Sequence, residues 1–157
     1  MEKFETSAFE VFGKEWALLT AGSIDDYNTM TIIWGGMGTL WAKPVVTVYV
    51  KPIRYTYEFM ERSDYFTVSF YDEKFRPDLT VLGTESGRDG DKVAKTSLVP
   101  VKADDGVTFK QAKRTLLCKK LYTQKLDLEK FPEGVAEKFY VNEPAHVMYI
   151  GEVIKIL

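Results

Sequence analysis

Residues 45–51, Val-Val-Thr-Val-Tyr-Val-Lys, constrain the fold more than any other stretch of the chain. Branching at Cβ crowds these side chains against the preceding turn of a helix, whereas on a pleated sheet they pack well. The segment therefore predicts a strand. Residues 65–71 alternate, with Phe66, Val68 and Phe70 on one face and Tyr65, Thr67, Ser69 and Tyr71 on the other, the period of a half-buried strand. Between the two, Tyr55 and Phe59 stand four residues apart within residues 54–62. That spacing predicts a short helix, with Thr56 as its N-cap.

The rest of the chain follows the same logic. Residues 16–22 read as a buried strand, and Ile24 to Asn28 as a polar turn in which Asx side chains bond nearby backbone. Residues 77–96 mix glycines and charges around Leu79 to Leu82, which predicts short helical turns and loops. A β-prone stretch from about Phe109 to Leu126 and another from His146 to Leu157 flank an irregular excursion at 131–142. Five or six strands are too many for a helical bundle and lack the regular βα alternation of a doubly wound sheet. The expected fold is mainly β, an antiparallel barrel with small helices. With 157 residues and neither repeat nor linker, a single domain over 1–157 is expected, large enough to fold on an ordinary core.

Several functions are excluded by composition. Twenty-one Lys and Arg face 23 Asp and Glu, and no basic block stands out, so a nucleic-acid partner is not expected. Cys118 and His146, the only cysteine and histidine, supply at most two of the four ligands of a structural zinc, and no metal site is expected. A lone cysteine cannot form an intrachain disulfide and is ordinary in a reducing cytosol. No signal peptide is visible at Met1 to Thr6, and every apolar run falls short of the ~18 residues of a membrane span. A cytoplasmic protein with no membrane partner is expected. Gly35-Gly36-Met37-Gly38 lacks the spacing of a dinucleotide fingerprint, Gly83 to Lys92 does not meet the phosphate-loop pattern, and no nucleophile elbow accompanies the histidine. Asp25-Asp26 and Asp104-Asp105-Gly106 read as solvated turns.

Three patches remain. Asn28-Thr29-Met30-Thr31 leads into Ile32-Ile33-Trp34-Gly35-Gly36-Met37-Gly38. This is either a plain turn or a segment that offers backbone groups to a flat heterocycle while Trp34 or Met30 covers one face. Lys51-Pro52-Ile53-Arg54-Tyr55-Thr56 is either a simple helix cap or an anion site, in which a guanidinium and a hydroxyl join the free N–H groups of a helix start. Ser86-Gly87-Arg88-Asp89-Gly90-Asp91-Lys92 is either a solvated loop or a flap bringing two cations to the same anion.

Together with Lys43-Pro44, Val48 to Val50 and His146-Val147-Met148-Tyr149-Ile150-Gly151-Glu152-Val153, these patches resemble the flavin reductase-like family, nearest its flavoredoxin branch, from about residue 15 to the C-terminus. The resemblance implies an FMN-binding split β-barrel, usually a homodimer with the flavin at or near the subunit interface. By resemblance, Asn28, Thr29, Met30, Thr31, Ile32 and Trp34 line the flavin ring and its polar edge. Arg54, Tyr55 and Thr56 hold the ribityl phosphate, and Ser86 and Lys92 complete the clamp. His146 opens the strand that, in the two-component reductases, lies beside the place where nicotinamide meets flavin.

The resemblance thus implies a flavoprotein that takes part in electron transfer: an NAD(P)H-dependent FMN oxidoreductase with NADH or NADPH as donor, or alternatively a non-catalytic FMN carrier between redox protein partners. A barrel for haem is a third reading, short of axial ligands. Ile33, Trp34 and Gly35 stand where those reductases often carry small hydroxyl residues, which favours an FMN that stays bound.

Overall fold

The computed structural model describes residues 2–157. Nine strands lie among these residues: β1 (Ala17–Ser23), β2 (Asp26–Ile32), β3 (Gly35–Leu40), β4 (Lys43–Val50), β5 (Tyr65–Phe70), β6 (Pro100–Ala103), β7 (Gly106–Phe109), β8 (Arg114–Lys125) and β9 (Val147–Ile156). Three α-helices accompany them, α1 (Tyr55–Arg62), α2 (Arg76–Thr84) and α3 (Val135–Phe139). The expected strands at 45–51 and 65–71 and the helix between them are present. The count of five or six strands is too low, because residues 26–40 form two strands rather than a turn and a loop, and β6 and β7 form two more on either side of the expected turn at Asp104-Asp105. Only Ile24 and Asp25 turn the chain between β1 and β2.

Seven strands form one antiparallel sheet in the order β2-β1-β5-β8-β9-β4-β3. Its two edges, β2 and β3, are consecutive in the chain and separated only by Ile33 and Trp34. Three Cα steps span at most about 11 Å, so the sheet must curl until its edges meet. The result is a barrel with a covalent seam instead of a seventh ladder, the split form of the fold. Register shifts between β8 and β9 at Leu117/Cys118 and Lys120/Tyr122 add the local bend that such closure requires.

Alternate residues of the strands fill the barrel: Leu19, Val46, Val48, Phe66, Val68, Cys118 and Tyr149, with Phe59 and Met60 of α1 closing one end. A second core lies outside the sheet, where Leu79 and Leu82 of α2 meet Leu18, Tyr71, Leu98 and Phe109. The β6–β7 hairpin covers the face of β5 that sequence alternation marks as polar, and Thr67 and Ser69 are fully buried there. Both faces of β5 are interior. Their hydroxyls find partners: Thr67 Oγ1 donates to the Val107 carbonyl, and Ser69, Thr108 and Thr115 bond one another at 2.6–3.1 Å. A polar alternation can thus be buried when the covering strand brings matching donors and acceptors.

At the centre of the barrel, β9 passes Phe66 with no room for a side chain. A Cβ on Gly151 would lie 2.5 Å from Phe66 Cζ and 2.9 Å from Cys118 Cβ. Gly151→Ala is expected to destabilise the fold by roughly 1–3 kcal/mol, the usual cost of overpacking a closed core. Urea unfolding measures this, and an unchanged midpoint would mean that β9 can move off β8 freely.

Candidate functional site

The seam of the barrel opens into a chamber. Its volume is about 370 Å3, and Met30, Thr31 and Ile32 of β2, Ile33 and Trp34 of the seam, and Tyr49 of β4 line it together with Lys51, Arg54, His146 and the face of α2. The size is that of an ordinary small-ligand pocket. α2 can approach β2 closely because Gly83 faces Thr31, where a Cβ would sit 3.0 Å from the threonine Cβ. The Thr31 hydroxyl donates to the Leu79 carbonyl and fixes that contact. At the mouth, Trp34 packs edge-on against Phe139 at 5.3 Å and tilts over His146 at 5.2 Å.

Past Met30, Arg54, Gly83 and Thr84 the chamber narrows into a neck of about 100 Å3, lined by Asn28, Arg54, Tyr55, Thr56, Ser86, Gly87 and Lys92 among others. Here the chemistry changes from apolar to cationic. Arg54, at the start of α1, has extended backbone, and no side chain caps the helix. The start of α1, Arg54 to Thr56, lines the neck, and the positive end of the helix dipole lies beside it. Thr56 is not the N-cap. It lies inside α1, fully buried, and its Oγ1 accepts a 2.8 Å hydrogen bond from Asn28 Nδ2. Asn28 Oδ1 in turn faces Gly87 so closely that a Cβ there would come within 2.2 Å.

Lys92 is buried, and its ammonium donates to the Leu82 and Glu85 carbonyls at 2.8 and 3.0 Å, tying off the end of α2. A third N–H remains. Burial first, then the charge of Arg54, pushes the Lys92 pKa down to about 8, and Glu85 offsets part of this. Two cations at one narrow opening, beside an uncapped helix start, present positive charge that suits an anion.

The structure brings together most of the residues the sequence suggests, and rearranges them. Met30, Thr31, Ile32, Trp34 and His146 line the chamber, while Tyr55, Thr56, Ser86, Arg54 and Lys92 surround the neck. Asn28 belongs to the neck and not to the ring end. Thr29 lines neither space: it is fully buried, bonded to Thr20 Oγ1 at 2.8 Å and to the Leu19 carbonyl. The expected pair of loop cations is also reduced to one, because Arg88 is engaged by the Glu58 carboxylate and the Ile53 carbonyl. Sequence reasoning missed Trp16, Tyr49 and the α2 face. Only tertiary packing carries them to the chamber, although Lys51 stood three residues from Arg54 in the same candidate segment.

The chain belongs to the flavin reductase-like family, since residues 10–157 match the flavin reductase like domain. No curated protein matches it. Among solved structures, flavoredoxin from Methanosarcina acetivorans is 20% identical over 100% of this chain and 75% of its own, with a TM-score of 0.73. An FMN-binding protein from Thermus thermophilus, solved with 1-cyclohex-2-enone, is 16% identical over 100% and 80%, at 0.73. The styrene monooxygenase flavin reductase from Pseudomonas putida S12 is 17% identical over 91% and 78%, at 0.67. At these identities the likeness carries the fold, the flavin reductase-like split barrel.

The depressed pKa of Lys92 has a consequence for stability. Between about 8 and the ordinary lysine range the unfolded chain binds more protons than the folded one, so stability through this group rises with pH across that window. Below it both states are protonated and the contribution is lowest. Lys92→Met should abolish this rise, which urea unfolding of both proteins at pH 7 and pH 9.5 measures. Equal pH dependence in the two would place the ammonium in water.

Proposed function

We propose that this member of the flavin reductase-like family binds FMN with its ring in the chamber and its phosphate in the neck, and uses it to oxidise NADH or NADPH. The observation that carries the reading is the sequence of spaces itself: an apolar chamber with aromatic walls opens into a neck where Arg54, Lys92 and the start of α1 converge. A flat heterocycle with a phosphate tail matches both ends. Arg54, the Thr56 hydroxyl and the third Lys92 N–H would hold the phosphate, with Gly87 allowing the backbone to close on it. Trp34 and Met30 would cover the ring.

When bound, the flavin supplies the two-electron exchange with the nicotinamide. The protein holds the ligand, excludes water through Trp34, Phe139 and Ile33, and presents His146 at the mouth. His146 is neutral near pH 7. Burial, with the nearby charges of Lys51 and Arg54, pushes its pKa down to about 4 against a smaller upward pull from Glu143. It therefore adds no charge to a chamber whose lining already includes Lys51 and Arg54. Exposed Trp41 and Tyr122, packed edge-on at 6.5 Å, offer apolar surface for the homodimer that belongs to the same proposal.

Arg54→Ala is expected to weaken FMN binding roughly 10- to 100-fold, the ~1.5–3 kcal/mol of a charged hydrogen bond. Thr56→Ala should cost less. A flavin fluorescence titration measures both, and an unchanged dissociation constant for the Arg54 variant would put the phosphate elsewhere. Anaerobic stopped-flow then separates reductase from carrier: NADH or NADPH should bleach the wild-type flavin band within seconds. Bleaching by dithionite alone would make the protein an electron carrier.

A further inference from the structure

We propose that Tyr140 is a positioning residue for His146: its hydroxyl donates to Nδ1, fixes the imidazole as the Nε2–H tautomer, and so presents a neutral N–H donor to the chamber mouth. The two groups stand 2.7 Å apart, with their rings edge-on at 5.4 Å. The direction of the bond follows from chemistry. A phenol is the more acidic donor of the two and an imidazole nitrogen the more basic acceptor, so O–H to N is the favoured arrangement. A neutral imidazole that accepts at Nδ1 must carry its proton on Nε2.

Tyr140 is held where this requires. Its amide donates to the Ala136 carbonyl at the end of α3 at 2.9 Å, and its ring lies 5.3 Å from that of Phe131. Lys51 grips the chain on both sides of it, donating to the Phe139 carbonyl at 3.1 Å and pairing with the Glu143 carboxylate, while its ammonium sits 5.4 Å from the Tyr140 ring centroid. The histidine backbone is fixed as well, since its carbonyl accepts from the Leu126 amide at 2.9 Å. Burial raises the Tyr140 pKa and keeps the phenol protonated, able to donate. Burial and the neighbouring cations keep His146 unprotonated, able to accept. Among the described residues Nε2 has no bonded partner, and the residue lines the chamber.

A neutral N–H at that place suits a carbonyl oxygen on the incoming substrate, such as the carboxamide of a reduced nicotinamide. This last role rests on the functional reading above. The tautomer does not, and the experiment keeps the two apart.

His146 is the only histidine, so the imidazole nitrogen signals of 15N-labelled protein need no assignment. At pH 7 the ligand-free wild type is expected to show one tautomer, with Nε2 protonated and Nδ1 shifted as a hydrogen-bond acceptor. Tyr140→Phe should give a mixture of both tautomers, leave the FMN dissociation constant within about twofold, and slow flavin reduction by NADH or NADPH about fivefold, the worth of one neutral hydrogen bond. A wild-type spectrum with the proton on Nδ1 overturns the proposal even if the variant does not fold. So does a Tyr140→Phe spectrum identical to wild type, whereas a reduction rate that does not move when the tautomer is lost overturns the role of the N–H toward the nicotinamide. If the spectra are as expected but neither nicotinamide reduces the wild type, the reductase reading fails while the placement of His146 by Tyr140 stands.

Discussion

The two-residue link between β2 and β3 is the constraint on which the architecture depends. Seven antiparallel strands could lie open as a twisted sheet, but a chain that must pass from one edge to the other through Ile33 and Trp34 alone forces the edges together. Because the seam is covalent and not hydrogen-bonded, the wall of the barrel is open beside it. The chamber lies at this opening, and the linking residue Trp34 is both the closure of the fold and a wall of the site. α2 and the segment from Phe131 to His146 then cover the gap from either side.

The neck follows from a second constraint, the way α1 begins. Its first turn has no side-chain cap, and the residue that sequence reading places there, Thr56, is drawn inward to Asn28 instead. An uncapped helix start is normally satisfied by water or a ligand. With Arg54 on one side and buried Lys92 on the other, the protein holds positive charge in a desolvated place, at a cost seen in the depressed pKa of Lys92. An anionic ligand removes that cost, and binding there is correspondingly favoured.

The parts legible in the sequence are those where local and tertiary preferences agree. Residues 45–51 and 65–71 are β-branched or alternating and form strands; Tyr55 and Phe59 sit one helical turn apart and form α1. The reading of 26–38 as turn and loop went wrong because Asp, Asn and Gly favour turns only until a neighbouring strand supplies a ladder, as β1 and β4 do here. Thr67 and Ser69 read as an outward face because the β6–β7 hairpin that buries them lies some forty residues away. Arg54, Lys92 and His146 were visible as candidates because their chemistry is rare or suitably placed. Thr29, one residue from Asn28, points to the opposite face of its strand and joins a buried hydroxyl pair, and Arg88 is claimed by Glu58. Neither contact leaves a local trace.

The central claim is that the neck is a seat for a phosphate and the chamber a seat for the ring attached to it. Calorimetric titration of the cofactor-free protein with FMN and with riboflavin, which share the ring and differ in the phosphate, tests this most directly. Charged hydrogen bonds from Arg54 and Lys92 predict that FMN binds at least about 100-fold more tightly than riboflavin. Equal affinities for the two would contradict the account.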